Sequence, residues 1–253
     1  MKRLQGSLAI AFALLALSIS GVLAEELNHP REYARCMAMT KSDPNDAFEM
    51  ATAWKELGGN DAAEHCAAVA LLYGGRPEHA ARRLEVLAKK VVASPDFKGQ
   101  ILAQAGQAWL LAGDPAHAEA ALTSAIELRR NRPEVVIDRA QARAAMADYQ
   151  GAVDDLNVAI DADPTNGDAF KFRASAYRYL DKLELARADI DRALALDPED
   201  PAAFLESGII FRLAGDDARA RDEWLIVLEI DPDGDIGRTA RANIEKMDVK
   251  IEP

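Results

Sequence analysis

Along the second half of the chain, apolar and small residues return with a helical period. In residues 99–132 they fall at Leu102, Gly106 and Trp109, and again at Ala118, Leu122 and Ala125. Offsets of 4 and 3 put each set on one face of a helix, not a strand. The two amphipathic helices meet at a short turn, Ala112-Gly113-Asp114. The same pattern then recurs. Leu102, Val136, Phe170 and Phe204 stand 34 residues apart, as do Gly106, Ala140, Ala174 and Gly208. The second helix repeats through Ala118, Ala152, Ala186 and Ala220, then Leu122, Leu156, Ile190 and Trp224, then Ala125, Ala159, Ala193 and Val227. Asp163-Pro164, Asp197-Pro198 and Asp231-Pro232 keep the same interval.

A lone helix hairpin cannot bury its apolar face, so stacking is required and stability becomes a sum over neighbouring units. Small residues recur where helix axes must approach, and large ones fill the space beside them. The pattern predicts an all-α protein, an α-solenoid of stacked antiparallel hairpins. Its repeats are expected at 99–132, 133–166, 167–200 and 201–234.

The unit resembles the tetratricopeptide repeat: large, small and aromatic positions, then alanine, large and alanine, with a terminal proline. The resemblance spans 136 of 253 residues. Some positions depart from it. Arg143 replaces the aromatic found as Trp109, Tyr177 and Phe211. The leucine usual before the small position of the first helix is Ala105, Arg139, Arg173 and Ser207. The first copy ends in Arg130 instead of proline, with Pro133 following.

Outside the clear copies the period blurs. Residues 25–98 read as degenerate helical repeats. Asp46 is expected to cap a helix carrying Phe48, Ala51 and Trp54, which Gly58-Gly59 ends. Further helices are expected from about Asp61 to Tyr73 and from Pro77 onward. Residues 235–253 read as a capping helix and tail, with Ile236, Ala240, Ile244 and Met247 on one stripe. Lys2 and Arg3, an apolar run near Leu8–Leu17, and Val22-Leu23-Ala24 read as a secretory signal peptide over 1–24, cut after Ala24. The alternative is an uncleaved inner-membrane anchor facing the periplasm. No later stretch is apolar enough to span a membrane.

The formal charge is −12, and −14 without Lys2 and Arg3. An acidic surface repels phosphate backbones, which argues against nucleic acid as a partner.

Cys36 and Cys66 each lie about six residues into an expected helix. If those are first helices of adjacent repeats, the thiols sit at similar height. In an oxidising compartment they can form a disulfide. The other reading is two buried free thiols. Glu64-His65-Cys66, with Cys36 and His79, fits no common zinc spacing, so no metal is expected. The acidic run at Asp231–Asp235 lacks the glycine and glutamate a calcium loop needs at its sixth and twelfth positions, occupied here by Ile236 and Ala242. His29, His65, His79 and His117 stand singly, and no catalytic motif or phosphate loop is present. No enzyme activity and no cofactor are expected.

The resemblance implies that the first helix of each unit lines a concave groove. It places Gln104, Gln107, Asp138, Gln141, Lys171, Ser175, Arg178, Tyr179 and Arg212 there, with Glu206 and Ile209. Such a row suits an extended peptide or its carboxylate terminus. The paired asparagines of the family's carboxylate clamp are absent from these positions. The expectation is a periplasmic scaffold that binds protein or peptide partners. The alternatives are a self-associating envelope protein, packing through Trp224, Ile226 or the last helix, and a binder of non-protein envelope components.

Overall fold

The computed structural model describes residues 29–128 and 132–248. The expected signal peptide, Arg130 and the terminal Lys250–Pro253 lie outside the described residues. Among the described residues the chain is helical, without strands. The helices are α1 (His29–Ser42), α2 (Pro44–Trp54), α3 (Asn60–Tyr73), α4 (Pro77–Lys90), α5 (Pro95–Leu111), α6 (Pro115–Leu128) and α7 (Pro133–Ala145). They continue as α8 (Tyr149–Ala162), α9 (Gly167–Tyr179), α10 (Leu183–Leu196), α11 (Pro201–Leu213), α12 (Asp217–Ile230) and α13 (Asp235–Asp248). One wide helical turn, Lys55–Gly59, links α2 to α3. None of these helices is long and apolar enough to cross a membrane.

Odd-numbered helices pair with the even ones that follow, and α13 closes the stack against α11 and α12. Each pair in 99–234 is held by one close approach. A Cβ added at Gly106 would collide with Leu122, and one at Gly208 with the indole of Trp224. In the middle pairs the same contact is made by Ala140 and Ala174, opposite the buried Leu156 and Ile190. The small residue sets the interhelix distance and the large one, 16 residues later, fills it. Trp224 is only 3% exposed, and its Nε1 donates to the Leu205 carbonyl at 3.2 Å. It is therefore a core residue, which removes it as a self-association contact.

The turn inside each pair is also repeated. Asp114, Asp148, Lys182 and Asp216 donate their backbone N–H to carbonyls five residues back, on Trp109, Arg143, Tyr177 and Phe211. That hydrogen bond needs a left-handed residue just before it. Gly113 and Gly215 supply it at φ 75° and 84°, while Ala147 and Asp181 are forced to φ 63° and 58°. Gly75 opens the equivalent turn between α3 and α4, with Arg76 donating to Leu71. Helix starts are set locally: Ser94 Oγ accepts from Phe97 N at 3.2 Å, and Asn166 and Asp200 cap α9 and α11 in the same way. The cap of α2 is Asp43, whose carboxylate accepts from the N–H of Asp46 at 3.3 Å. The expected cap, Asp46, lies inside the first turn because Pro44 already occupies the first helical position.

The departures at 139 and 173 have a common structural reason. Arg139 makes a two-pronged ion pair with Asp155, at 2.9 and 2.6 Å, and donates to Thr123 Oγ1. Arg173 does the same with Asp189, at 2.8 and 2.7 Å, and donates to Asn157 Oδ1. Each guanidinium thus ties its own second helix to that of the preceding pair. The fourth copy lacks this rung. Ser207 stands in place of arginine, and Glu223 and Asp191 occupy the partner positions. Glu223 Oε2 is buried without a hydrogen-bond partner. Burial raises the Glu223 pKa, with a smaller contribution from the neighbouring acids Asp191 and Asp222.

Two stability effects follow. Ala147→Gly removes a left-handed strain of about 1–2 kcal/mol against a backbone-entropy cost of about 0.5–1 kcal/mol. Urea denaturation should show a net gain, and a loss would refute the turn assignment. Ser207→Arg with Glu223→Asp rebuilds the rung and should add about 1–3 kcal/mol, read as a higher melting temperature. An unchanged or lower midpoint contradicts it.

Candidate functional site

Successive first helices touch one another, from α1·α3 through α9·α11, whereas successive second helices have at most weak contact. In a curved stack the side with closer neighbours is the inside. The odd-numbered helices therefore line the inner face.

Most of the residues expected on this face are engaged by the chain itself. Gln104 Oε1 accepts from His65 Nε2 at 2.6 Å, and Tyr33 Oη lies in hydrogen-bond contact with His65 Nδ1 at 2.7 Å. The amide oxygen only accepts, so Nε2 of His65 carries a proton. Gln107 Nε2 donates to Asp138 Oδ2 at 2.8 Å. Lys171 Nζ sits 2.8 Å from Asp168 and 2.5 Å from Asp200. Burial opposes its charge, but the two carboxylates outweigh this and its pKa is raised. Arg178 Nε donates to Glu206 at 2.7 Å and Nη2 to Ser175 Oγ at 3.2 Å. Arg212 pairs with Asp217. The three cations counted as donors for a bound carboxylate are each already paired with an acid of this chain.

These contacts form a row of ties between consecutive first helices. α1 is joined to α3 and α3 to α5 through His65, α5 to α7 through Gln107 and Asp138, and α9 to α11 through Arg178 and Glu206. Among the described residues, no hydrogen bond or ion pair joins α7 to α9. The repeat register gives the reason. The position of Asp138 and Glu206 is Phe172 in the third copy, and the position of Arg178 is Ala144 in the second.

A cleft of about 200 Å³ opens at this junction. Ala140, Gln141 and Ala144 form one wall, Phe172, Ser175 and Tyr179 the other, and Leu156 of α8 lies at the base. Tyr149 stacks face to face on Tyr179, with ring centroids 4.5 Å apart and planes inclined by 3°. The Arg178 guanidinium lies 4.3 Å from the centre of the Tyr179 ring. Tyr179 remains 56% exposed and Phe172 36%. Gln141, Ser175 and Tyr179 are thus brought together, whereas Gln104, Gln107 and Arg212 lie elsewhere on the face. Phe172, Ala144 and Tyr149 were missed as site residues. The signal was available at the position of Phe172, which is polar or charged in the other three copies.

At the N-terminal end, Cys36 and Cys66 are joined by a disulfide between α1 and α3, their Cα atoms 6.2 Å apart. A crosslink of this kind stabilises by about 2–4 kcal/mol, mainly by restricting the unfolded chain. Next to it, Glu64 holds Arg83 at 2.6 Å and Lys55 at 2.6 Å. The Arg83 hydrogen bond is the main cause of a Glu64 pKa lowered to about 2.

The fold defined by this geometry is an α-solenoid of helix pairs. Residues 173–235 match the family model described as tetratricopeptide repeat. MamA residues 41 to the end from Desulfovibrio magneticus RS-1 is similar at 23% identity and TM-score 0.60, over 69% of this chain and 97% of that one. A thermophilic tetratricopeptide-repeat protein of Thermus thermophilus is similar at 17% identity and TM-score 0.59, over 74% and 97%. A chain of the APC/C hetero-tetramer Cut9-Hcn1 is similar at 14% identity and TM-score 0.66, over 87% of this chain and 43% of that one. These likenesses are of fold. Residues 173–235 thus match the tetratricopeptide repeat, and the described chain shares the α-solenoid fold of these structures.

His65 supplies a pH test of the N-terminal end. Burial lowers its pKa below the ordinary 6.5, only partly offset by Gln104. A histidine with a depressed folded value contributes stability above its unfolded pKa, and loses it as pH falls through the folded one. Urea midpoints should therefore drop below pH 6.5, and His65→Gln should flatten that slope. A slope unchanged in the variant would assign it to other groups.

Proposed function

We propose that the protein is a non-enzymatic scaffold of the bacterial cell envelope whose inner face holds an extended segment of a protein partner. One observation carries this reading: among the described residues, the row of ties from α1 to α11 is interrupted only between α7 and α9, and the interruption is an apolar cleft. A rigid stack presents such a cleft with little ordering cost on its own side. The cleft wall offers no carboxylate, imidazole or amine to act as acid, base or nucleophile, which favours binding over catalysis. It is also lined largely by alanine and aromatic rings with few polar groups, which suits a side chain better than a hydroxyl-rich glycan.

Location rests on separate grounds. The charged and then apolar pattern of residues 1–24 supports export with cleavage after Ala24. The Cys36–Cys66 disulfide supports it too, because such bonds persist in oxidising compartments and are rare in reducing ones. The expected partner is protein, not nucleic acid, given the acidic surface.

Photo-crosslinking residues at Gln141 and Ser175 should each attach to the same few proteins in intact cells. The same residue at Val158, exposed on α8, should not. Equal capture from both faces, or none from the inner one, would refute the reading. Intact-mass analysis of the exported protein should show a chain beginning at Glu25 and two hydrogens lighter than its reduced form.

A further inference from the structure

Deepening that reading and resting on it, we propose that the α7–α9 cleft takes one large apolar side chain of an extended partner segment, and that lysine or arginine flanks this side chain. Size comes first. At about 200 Å³ the cleft is below the roughly 300–1,000 Å³ typical of small-molecule sites. It matches a single residue inserted from a chain that runs along the face.

The cleft belongs to this junction and not to the stack in general. One copy earlier the matching junction is closed by Gln107, at the position of Gln141, with Asp138, and one copy later by Arg178, at the position of Ala144, with Glu206. Only here do Ala144 and Phe172 leave it open and apolar. Gln141 stands at the rim, where its amide can bond the backbone of a passing strand.

Charge on either side selects the flanking residues. Asp138 lies one turn before Gln141 on α7, and Asp168 one turn before Phe172 on α9. Around the cleft, the carboxylates of Glu134, Asp138, Asp168, Asp200 and Glu206 outnumber the cations of Arg132, Lys171 and Arg178. Those cations are already spent, Arg132 on Glu134, Lys171 on Asp168 and Asp200, and Arg178 on Glu206. The surplus is negative. Asp138 in particular is half-hidden and carries a raised pKa, from burial first and the charge of Glu134 as a further cause. A partner's ammonium or guanidinium beside it supplies a countercharge that offsets both. A free carboxylate terminus meets no unpaired cation among these; Lys182, beyond Tyr179, donates to Gln150 Oε1 and lies over the Tyr177 ring. A second copy of this chain, at −12, brings acid to acid.

The test uses fluorescent peptides with blocked ends and the sequence Lys-Lys-Phe-Lys-Lys, read by anisotropy on the full chain. Replacing Phe by Ala, or the four lysines by glutamates, should each weaken binding about tenfold or more. Binding should also weaken as salt rises from about 0.1 M to about 1 M. Ala144→Arg with Phe172→Glu reproduces the closed rung of the next junction. It should abolish binding with the melting temperature kept. Ala144→Leu fills the cleft without charge and should do the same. Equal binding of the glutamate or alanine peptides overturns the proposal, as does wild-type binding by both cleft variants. If none of these peptides binds while Gln141 still crosslinks to a protein, the partner chemistry is wrong and the scaffold reading stands. A concentration-dependent dimer lost in both cleft variants would make a second copy the occupant, and also overturns it.

Discussion

Everything in this molecule depends on how close the two helices of a pair can come. Gly106 beneath Leu122 and Gly208 beneath Trp224 show the constraint most clearly, because a single Cβ would collide with the opposing side chain. With that distance set, the left-handed turn after each first helix closes at a fixed length. The pair then presents its other faces to its neighbours at constant pitch. No pair buries enough apolar surface alone, so cohesion passes along the stack from neighbour to neighbour.

Two layers of polar contact sit on that apolar frame, and they do different work. Arg139 and Arg173 reach outward to the second helices, where Asp155 and Asp189 hold them in two-pronged pairs. These rungs replace leucine packing with charge-assisted hydrogen bonds, and the fourth copy, with Ser207, shows the cost of omitting the cation. On the inner face, ties between first helices consume the side chains that a sequence reading would assign to a ligand. What is left for a partner is the junction where the ties stop.

The repeat and the class of fold were legible because packing positions recur at a constant interval, and packing tolerates few residue types. Gly106, Ala140, Ala174 and Gly208 repeat in kind as well as in place. The inner-face contacts were not legible for the opposite reason. They join adjacent copies at separations of 39, 31 and 28 residues, with different side chains each time. Arg178 and Arg212 read as donors only because their carboxylate partners lie in another helix or beyond the turn, and Lys171 because Asp200 adds to the Asp168 of its own helix. The cleft is harder still, since it consists of what Ala144 does not fill. The cap of α2 failed on a smaller scale, because Asp43 and Asp46 both fit a helix start until Pro44 fixes the frame.

Alanine-methyl NMR of the full chain, titrated with the lysine-flanked phenylalanine peptide, tests the central claim most directly. Ala140, Ala144 and Ala176 line the α7–α9 cleft, whereas Ala120 and Ala162 are exposed on second helices. The account predicts shifts confined to the first three. Shifts on Ala120 or Ala162, with the cleft methyls unmoved, would contradict it.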